Sequence, residues 1–253
     1  MNFIGIIPAR YSSTRLPGKP LAIINGKTMI ERVVEQCLKC EKLTKVVVAT
    51  DDDRIFNFLN DKKINVVLTS DTHQSGTDRC FEAANKIQVE QDDVIINIQG
   101  DEPFINPKQI ELLIDSFSKK EVDIATLVKQ IKTTEDLNNP SIPKVVFDKN
   151  NKALLFSRSV IPFSRNVINQ DEWVNNFLYY KHIGIYGYRF SVLKDLVKLP
   201  VSNLEKTESL EQLRWLENGY SIYVEKTEIE SLAVDTPEDL KKANDFCVIN
   251  NIK

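Results

Sequence analysis

The chain lacks any long apolar run. Its longest, such as Val46-Val47-Val48-Ala49, is far too short to cross a bilayer. No charged segment precedes the apolar start, and Arg10 interrupts that start too early for a secretory signal. A cytoplasmic protein with no membrane contact is therefore expected. Cysteine is sparse, with four residues, which fits a reducing compartment. Cys37 and Cys40 form a CxxC, but a zinc site needs two more ligands at similar spacing, and Cys80 and Cys247 stand alone. The same spacing is one turn of the helix implied by Ile30, Val33, Val34, Cys37 and Leu38, so packing is preferred over metal or redox chemistry. Histidine is scarcer still: His73 and His182 are the only two. A lone histidine is more often a surface or packed residue than a catalyst. An excess of one charge is also missing. With 33 basic and 36 acidic residues the net charge is −3, so nothing global points to nucleic acid or to an anionic membrane.

What is present is a globular composition. Of 253 residues, 42% are hydrophobic and 27% charged, enough for one large domain with a sizeable core. Strand-like and helix-like segments alternate through the first half. Phe3–Ile7, Lys45–Ala49, Asn65–Leu68 and Val94–Ile98 read as strands. Met29–Lys39, Asp53–Leu59, Thr77–Ile87 and Pro107–Phe117 read as helices. This predicts an α/β fold with a mostly parallel central sheet and helices on both faces. Later, Ile124–Val128, Lys144–Phe147, Leu154–Ser157, Ile183–Tyr188 and Ile222–Val224 look like strands. Glu205–Asn218 reads as one strong helix, and a last helix starts at Thr236-Pro237. No repeat, low-complexity tract or linker divides the chain.

Three segments carry chemistry. The first, Pro8-Ala9-Arg10-Tyr11-Ser12-Ser13-Thr14-Arg15-Leu16-Pro17-Gly18-Lys19-Pro20, directly follows the first strand, where open α/β sheets bind ligands. Residues 1–30 hold Arg10, Arg15, Lys19 and Lys27 and no acid. Arginine offers a planar fork and lysine a point charge to phosphate oxygens, and Ser12, Ser13 and Thr14 add hydroxyls. A solvated loop would carry the same residues; the position after strand one favours phosphate. A Walker A loop is excluded, since Ser13 stands where its first glycine belongs and Pro20 where Ser or Thr belongs. No GxGxxG follows the strand, which argues against a dinucleotide dehydrogenase.

The second segment, Gln99-Gly100-Asp101-Glu102-Pro103, places a carboxylate at a strand end, suited to a hard cation such as magnesium; turn chemistry would use similar residues. The third is Val234-Asp235-Thr236-Pro237-Glu238-Asp239-Leu240. Thr236, Pro237 and Asp239 read as a capping box. Asp235 is not needed for capping and is free to be a second metal carboxylate. If Asp101 and Asp235 converge, they would share one site beside the cation loop, and without metal they would repel each other. His73–Arg79 opens a helix whose N-terminus can hold an anion or a polar base edge, although by itself the segment reads as an ordinary capped helix start. Around Leu210, Leu213 and Leu216, Glu211 and Gln212 are left to be accounted for, with simple solvent exposure the plain alternative.

Taken together, Ile6–Pro20, His73–Arg79, Gln99–Pro103, Phe156-Ser157-Arg158, Lys181–Tyr188, Leu210–Arg214 and Val234–Leu240 resemble the CMP-Kdo synthetase family, in the family's order and along nearly the whole chain. The resemblance implies a nucleotide-diphospho-sugar transferase-like fold and a magnesium-dependent cytidylyltransferase. It also implies CTP and the sugar acid 3-deoxy-manno-octulosonate (Kdo) as substrates, a cytoplasmic homodimer and a place in lipopolysaccharide synthesis. It assigns Pro8, Ala9, Arg10, Ser13, Arg15, Lys19, Ser75, Gly76, Gln99 and Asp101 to CTP. Arg79, Gln99, Arg158, His182, Tyr186, Glu211 and Gln212 fall to Kdo, and Asp101 and Asp235 to Mg2+. Catalysis is expected from Arg10, Lys19, Asp101 and Asp235. The less regular second half suggests an inserted region at about Arg158–Trp173, and an inserted sub-region near 158–190 would serve dimerisation and sugar binding. Ala233 stands where the family often has Gly, and Asp78 where Glu is common; neither touches an assigned role. A branch that activates an amino analogue of Kdo differs around His73-Gln74, and the His-Gln-Ser-Gly-Thr found here favours ordinary Kdo. Families acting on sialic acid or methylerythritol phosphate share the Ile-Pro-Ala opening but continue differently from Arg10-Tyr11-Ser12.

Overall fold

The computed structural model describes every residue except Thr14, Ser231 and Lys253. Thr14, expected to add a hydroxyl to the cation loop, thus lies outside the described residues. The first half alternates as its periodicities demand: β1 (Phe3–Ala9), the short hairpin β2 (Ile23–Ile24) and β3 (Lys27–Thr28), α1 (Met29–Cys37), β4 (Lys45–Thr50), α2 (Asp53–Asp61), β5 (Val66–Leu68), α3 (Gly76–Lys86), β6 (Val94–Asn97) and α4 (Pro107–Asp115). The second half holds β7 (Ile124–Gln130), α5 (Thr134–Asn138), β8 (Lys144–Phe147), β9 (Ala153–Ser157), α6 (Trp173–Asn176), β10 (Tyr180–Arg189), α7 (Phe190–Leu196), α8 (Asn203–Glu208), α9 (Gln212–Glu217), β11 (Ile222–Lys226) and α10 (Pro237–Ile249). Helix starts follow local chemistry: Thr28 with Glu31 and Thr236 with Asp239 form reciprocal capping boxes for α1 and α10.

The main sheet runs β11-β7-β10-β6-β1-β4-β5, with β8 and β9 attached at β10. β1 is parallel to β4 and β6, β4 to β5, and β7 to β11. β10 is antiparallel to both β6 and β7, and the attached β8 and β9 pair antiparallel as well. Side chains alternate across the sheet with period two. On one face Ile7, Ile96 and Leu127 pack with α1, α2 and α4; on the other Ile6, Ile95 and Val128 pack with α3, α7 and Trp215 of α9. Helices thus cover both faces. Cys37 and Cys40 are free and buried in the first of these cores, and burial raises both thiols above the ordinary cysteine range. α10 packs through Ala243 and Cys247 against Ile24, Met29 and Val234. No described helix is long and apolar enough to cross a membrane.

Two boundaries differ from expectation. The helix expected over Glu205–Asn218 is broken, because Ser209 takes a left-handed conformation (φ 51°) between α8 and α9. Arg214 then doubles back to Glu205, with Nε to Oε2 at 2.7 Å and Nη2 to Oε1 at 2.5 Å. In one unbroken helix residues nine apart would be separated by about 13.5 Å along the axis, so that ion pair requires the break. The inserted region is also bounded differently from 158–190. The chain leaves β7 after Gln130 and enters β10 at Tyr180, which pair with each other, and Ile131 N–H donates to the Tyr179 carbonyl at 2.8 Å; between them the β8–β9 hairpin returns to the sheet, with Lys144 pairing with Lys181 of β10. Residues 131–143 and 158–179, on either side of that hairpin, form the arm, with a small core of Ile131, Leu137, Trp173 and Tyr179. Residues 180–189 are a strand of the main sheet.

Gly187 sits where β10 crosses Phe117. A Cβ there would stand 2.5 Å from Phe117 Cε2, on a ring that is itself 1% exposed. Gly187→Ala should cost about 1–3 kcal/mol by overpacking. Gly184→Ala, whose Cβ would meet nothing nearer than Gln99 Cγ at 3.8 Å, should leave thermal stability close to wild type. Equal melting temperatures for the two variants would refute this reading of β10.

Candidate active site at the ends of β1 and β6

β1 and β6 are parallel neighbours, so the segments that leave them meet. A Cβ on Gly100 would stand 2.8 Å from the Pro8 carbonyl oxygen, which is why glycine occupies that position. Between the two segments opens a cavity of about 400 Å³. Pro8, Ala9, Arg10, Ser13, Arg15, Lys19, Gly76, Gln99 and Asp101 line it, joined by Asp235 from the far end of the chain. Asp235 is brought there by backbone, since Val234 N–H donates to the Asp101 carbonyl at 2.9 Å. Ser75 caps α3, accepting from Asp78 N–H at 3.1 Å.

The two acids do converge, and Lys19 lies between them. Its ammonium donates to Asp101 Oδ2 at 2.6 Å and to Asp235 Oδ1 at 2.9 Å. Burial works against that charge, but the two carboxylates outweigh it and hold the Lys19 ammonium above the ordinary lysine range. Arg15 Nη2 stands 3.3 Å from Asp235 Oδ2. The expectation that the carboxylates repel each other in the absence of metal is therefore corrected: they share a protein cation. The Asp235 carboxylate takes no part in the Thr236–Asp239 box. Arg10 carries a buried Nη2 with no hydrogen-bond partner among the described residues. Burial, then the neighbouring Arg79, lowers its pKa, yet a guanidinium stays charged at neutral pH. A buried cationic donor without a protein partner suits an anionic ligand.

A second cluster adjoins the first through Gly76-Thr77 and Asn97–Gln99. Gln99 Nε2 donates to the Gly184 carbonyl at 2.8 Å, and Thr77 Oγ1 donates to Glu211 Oε2 at 2.7 Å. Burial pushes the Glu211 carboxyl up in spite of bonds from Thr77 and Ser75. His182 and Tyr186 lie with ring centres 5.1 Å apart. Tyr186 Oη, Tyr188 Oη, Gln212 Nε2 and Asn97 Oδ1 are buried without partners among the described residues. Such a concentration of unsatisfied polar atoms fits a hydroxyl-rich ligand. Gln212 is 5% exposed, which overturns the solvent-exposed alternative for it. The break after α8 is what turns Glu211 and Gln212 inward.

Two residues assigned to the sugar have protein partners. Arg79 is fully buried, donating to Asp51 Oδ2 at 2.8 Å and Thr69 Oγ1 at 2.6 Å. Arg158 donates to the carbonyls of Glu208 (2.6 Å), Pro140 (2.9 Å) and Ser209 (3.3 Å). Its guanidinium ties the arm to the end of α8. Thr77 was expected only on the nucleotide side, as a neighbour of Ser75 and Gly76, and Asn97 and Tyr188 were not singled out from sequence. Asn97 is a polar residue closing the apolar run Val94–Ile96, and Tyr188 follows Tyr186 at strand spacing, so both had a local signal.

The cytidylyltransferase family matches residues 4–246. The 3-deoxy-manno-octulosonate cytidylyltransferase of Parabacteroides distasonis is 56% identical, covering 97% of this chain and 98% of its own. The chain belongs to the cytidylyltransferase family, in its 3-deoxy-manno-octulosonate branch. The enzyme of the same description from Bacteroides thetaiotaomicron is 52% identical over 97% of this chain and 98% of its own. A solved structure described as CMP:2-keto-3-deoxy-manno-octonic acid synthetase complexed with CTP superposes with a TM-score of 0.91 at 39% identity, covering 99% of this chain and 100% of that one. A glucose-1-phosphate thymidylyltransferase from Bacillus anthracis, 17% identical, shares the fold with a TM-score of 0.65 over 96% of this chain and 94% of its own. Nucleotidyltransferase architecture and family membership thus stand together with the site at the ends of β1 and β6.

Proposed function

We infer that the chain transfers CMP from CTP to 3-deoxy-D-manno-octulosonate, giving CMP-Kdo and pyrophosphate. The observation that carries this is one cavity with cations and acids facing each other, Arg10, Arg15 and Lys19 against Asp101 and Asp235, beside a pocket of unpartnered polar atoms. The anomeric hydroxyl oxygen of the sugar bonds to the α-phosphorus. The α–β bridging oxygen leaves with pyrophosphate, and the hydroxyl proton is released to solvent. Arg10, Arg15 and Lys19 neutralise the departing phosphates. Gln99, Gly76 and the Ser75 region hold the base and ribose. His182, Tyr186, Glu211 and Gln212 orient the sugar acid so that its oxygen lies in line.

We further propose that Asp101 and Asp235 hold Mg2+. The donor set fits a hard cation, and a cation, the Lys19 ammonium, already stands between the two carboxylates. When bound, Mg2+ would polarise the α-phosphate as a Lewis acid. The product feeds lipopolysaccharide synthesis in the cytoplasm in this reading. Phe163, Ile168, Phe177 and Leu178 expose apolar surface on the arm, and a second copy of the chain is the proposed cover.

Pyrophosphate release tests the substrate reading: CTP with Kdo should turn over, UTP, GTP and ATP poorly, and sialic acid not at all. A site that hydrogen-bonds one base edge rejects bases that leave its groups unpaired. Equal use of UTP, or preference for sialic acid, would count against it. The same preparation should sediment at twice the 29.0 kDa chain mass; a monomer would remove the dimer.

A further inference from the structure

Strand β10 does not keep one register along β7. Ile183 pairs with Leu127, but the next pair is Tyr186 with Thr126, so Gly184 and Ile185 bulge between them. Thr126 stands opposite this bulge, a fully buried polar residue in the apolar run Ile124-Ala125-Thr126-Leu127-Val128. Its hydroxyl reaches three atoms: the Ile185 carbonyl at 2.7 Å, the Ile183 carbonyl at 3.2 Å and His182 Nε2 at 2.9 Å. A hydroxyl has one proton, and carbonyl oxygens only accept. That proton therefore goes to the bulge, chiefly to Ile185. The hydroxyl lone pairs are left for Nε2, which must carry hydrogen.

The His182 imidazole makes no other hydrogen bond among the described residues. Its ring is held by Phe156 edge-on at 5.3 Å and by Tyr186 at 5.1 Å. Burial lowers its pKa to about 3, so the imidazole is neutral. A neutral imidazole with hydrogen on Nε2 has its lone pair on Nδ1.

We propose that Thr126 is a positioning residue for acceptor recognition: bridging the β10 bulge to His182, it holds the imidazole as the Nε2–H tautomer, so that Nδ1 accepts a hydrogen bond from a hydroxyl of the sugar acid. This rests on reading the His182 cluster as the sugar pocket. One buried hydroxyl thereby sets both the backbone that carries Gly184, the acceptor of Gln99, and the polarity of the imidazole. Valine at 126 would keep the β-branched shape and lose both bonds. Serine would keep them.

The test exploits the scarcity of histidine. With only His73 and His182 present, long-range 15N–1H spectra of the unliganded, histidine-labelled chain contain two imidazoles, assigned with a His73→Asn variant. His182 should show the Nε2–H pattern. In Thr126→Val that pattern should give way to mixed tautomers, and KM for Kdo should rise about 10-fold, the scale of one lost polar contact. KM for CTP should stay near wild type, and Thr126→Ser should restore both readouts. An Nδ1–H pattern in the wild type, an unchanged tautomer in Thr126→Val, or equal rises in both KM values would overturn the proposal. The wild-type spectrum decides even if the valine variant does not fold. If the wild type ignores Kdo while the tautomer follows Thr126, the sugar reading has failed and the hydroxyl geometry has not.

Discussion

Asp101→Asn and Asp235→Asn should each lower CMP transfer by about 100-fold or more, the scale of losing one preorganised charge at a reacting phosphate. Asparagine keeps the size of either side chain and removes its charge. Neither change touches a cap, because Thr236 and Asp239 supply that chemistry by themselves. Folding should persist with a small loss of stability, since Lys19 keeps one carboxylate partner in each variant. Pyrophosphate release under saturating CTP, Kdo and Mg2+ measures the first effect, and thermal denaturation without metal the second. Wild-type turnover in either variant would remove that carboxylate from the reaction. A rise in melting temperature would restore the view that the acids repel each other in the resting enzyme.

Lys19→Met should have the second large effect, and it should appear in two places. Turnover should fall by about 100-fold or more as a cation is lost from the departing phosphates. Stability without metal should also fall, by about 1–3 kcal/mol, because two carboxylates lose the ammonium that bonds both. Added Mg2+ should then raise the melting temperature of the variant more than that of the wild type, by taking the place of the missing cation. Differential scanning calorimetry with and without Mg2+ makes the comparison. An identical Mg2+ shift in both proteins would separate the acid pair from the metal.

The α/β alternation was legible because each element carries its own period, and α10 because its capping box is local. The direction of β10 was not, since a strand pattern carries no polarity. The break at Ser209 was hidden because no glycine or proline marks it between Glu205 and Asn218; only the Glu205–Arg214 pair shows that the chain turns back. At the site, the acid-free cation loop and the surplus Asp235 stood out by charge. Arg79 and Arg158 also stood out by charge, yet their partners lie at Asp51 and around Glu208, far away in sequence. Thr126 was silent because a single hydroxyl in an apolar run reads as an ordinary strand residue until its neighbours across the sheet are known.

The excursion that carries the arm begins and ends at adjacent hydrogen-bonded positions, Gln130 and Tyr180. Its two ends are held together by the β7–β10 ladder, whatever lies between them. Doubling the length of such a closed excursion adds only about 0.6 kcal/mol of closure entropy. Over evolutionary time this stretch can gain or lose residues, and so change what the arm meets, while the strands that present the nucleotide site stay in register. Length variation among relatives should therefore gather in residues 131–143 and 158–179, on either side of β8 and β9, and the sheet should drift only by substitution.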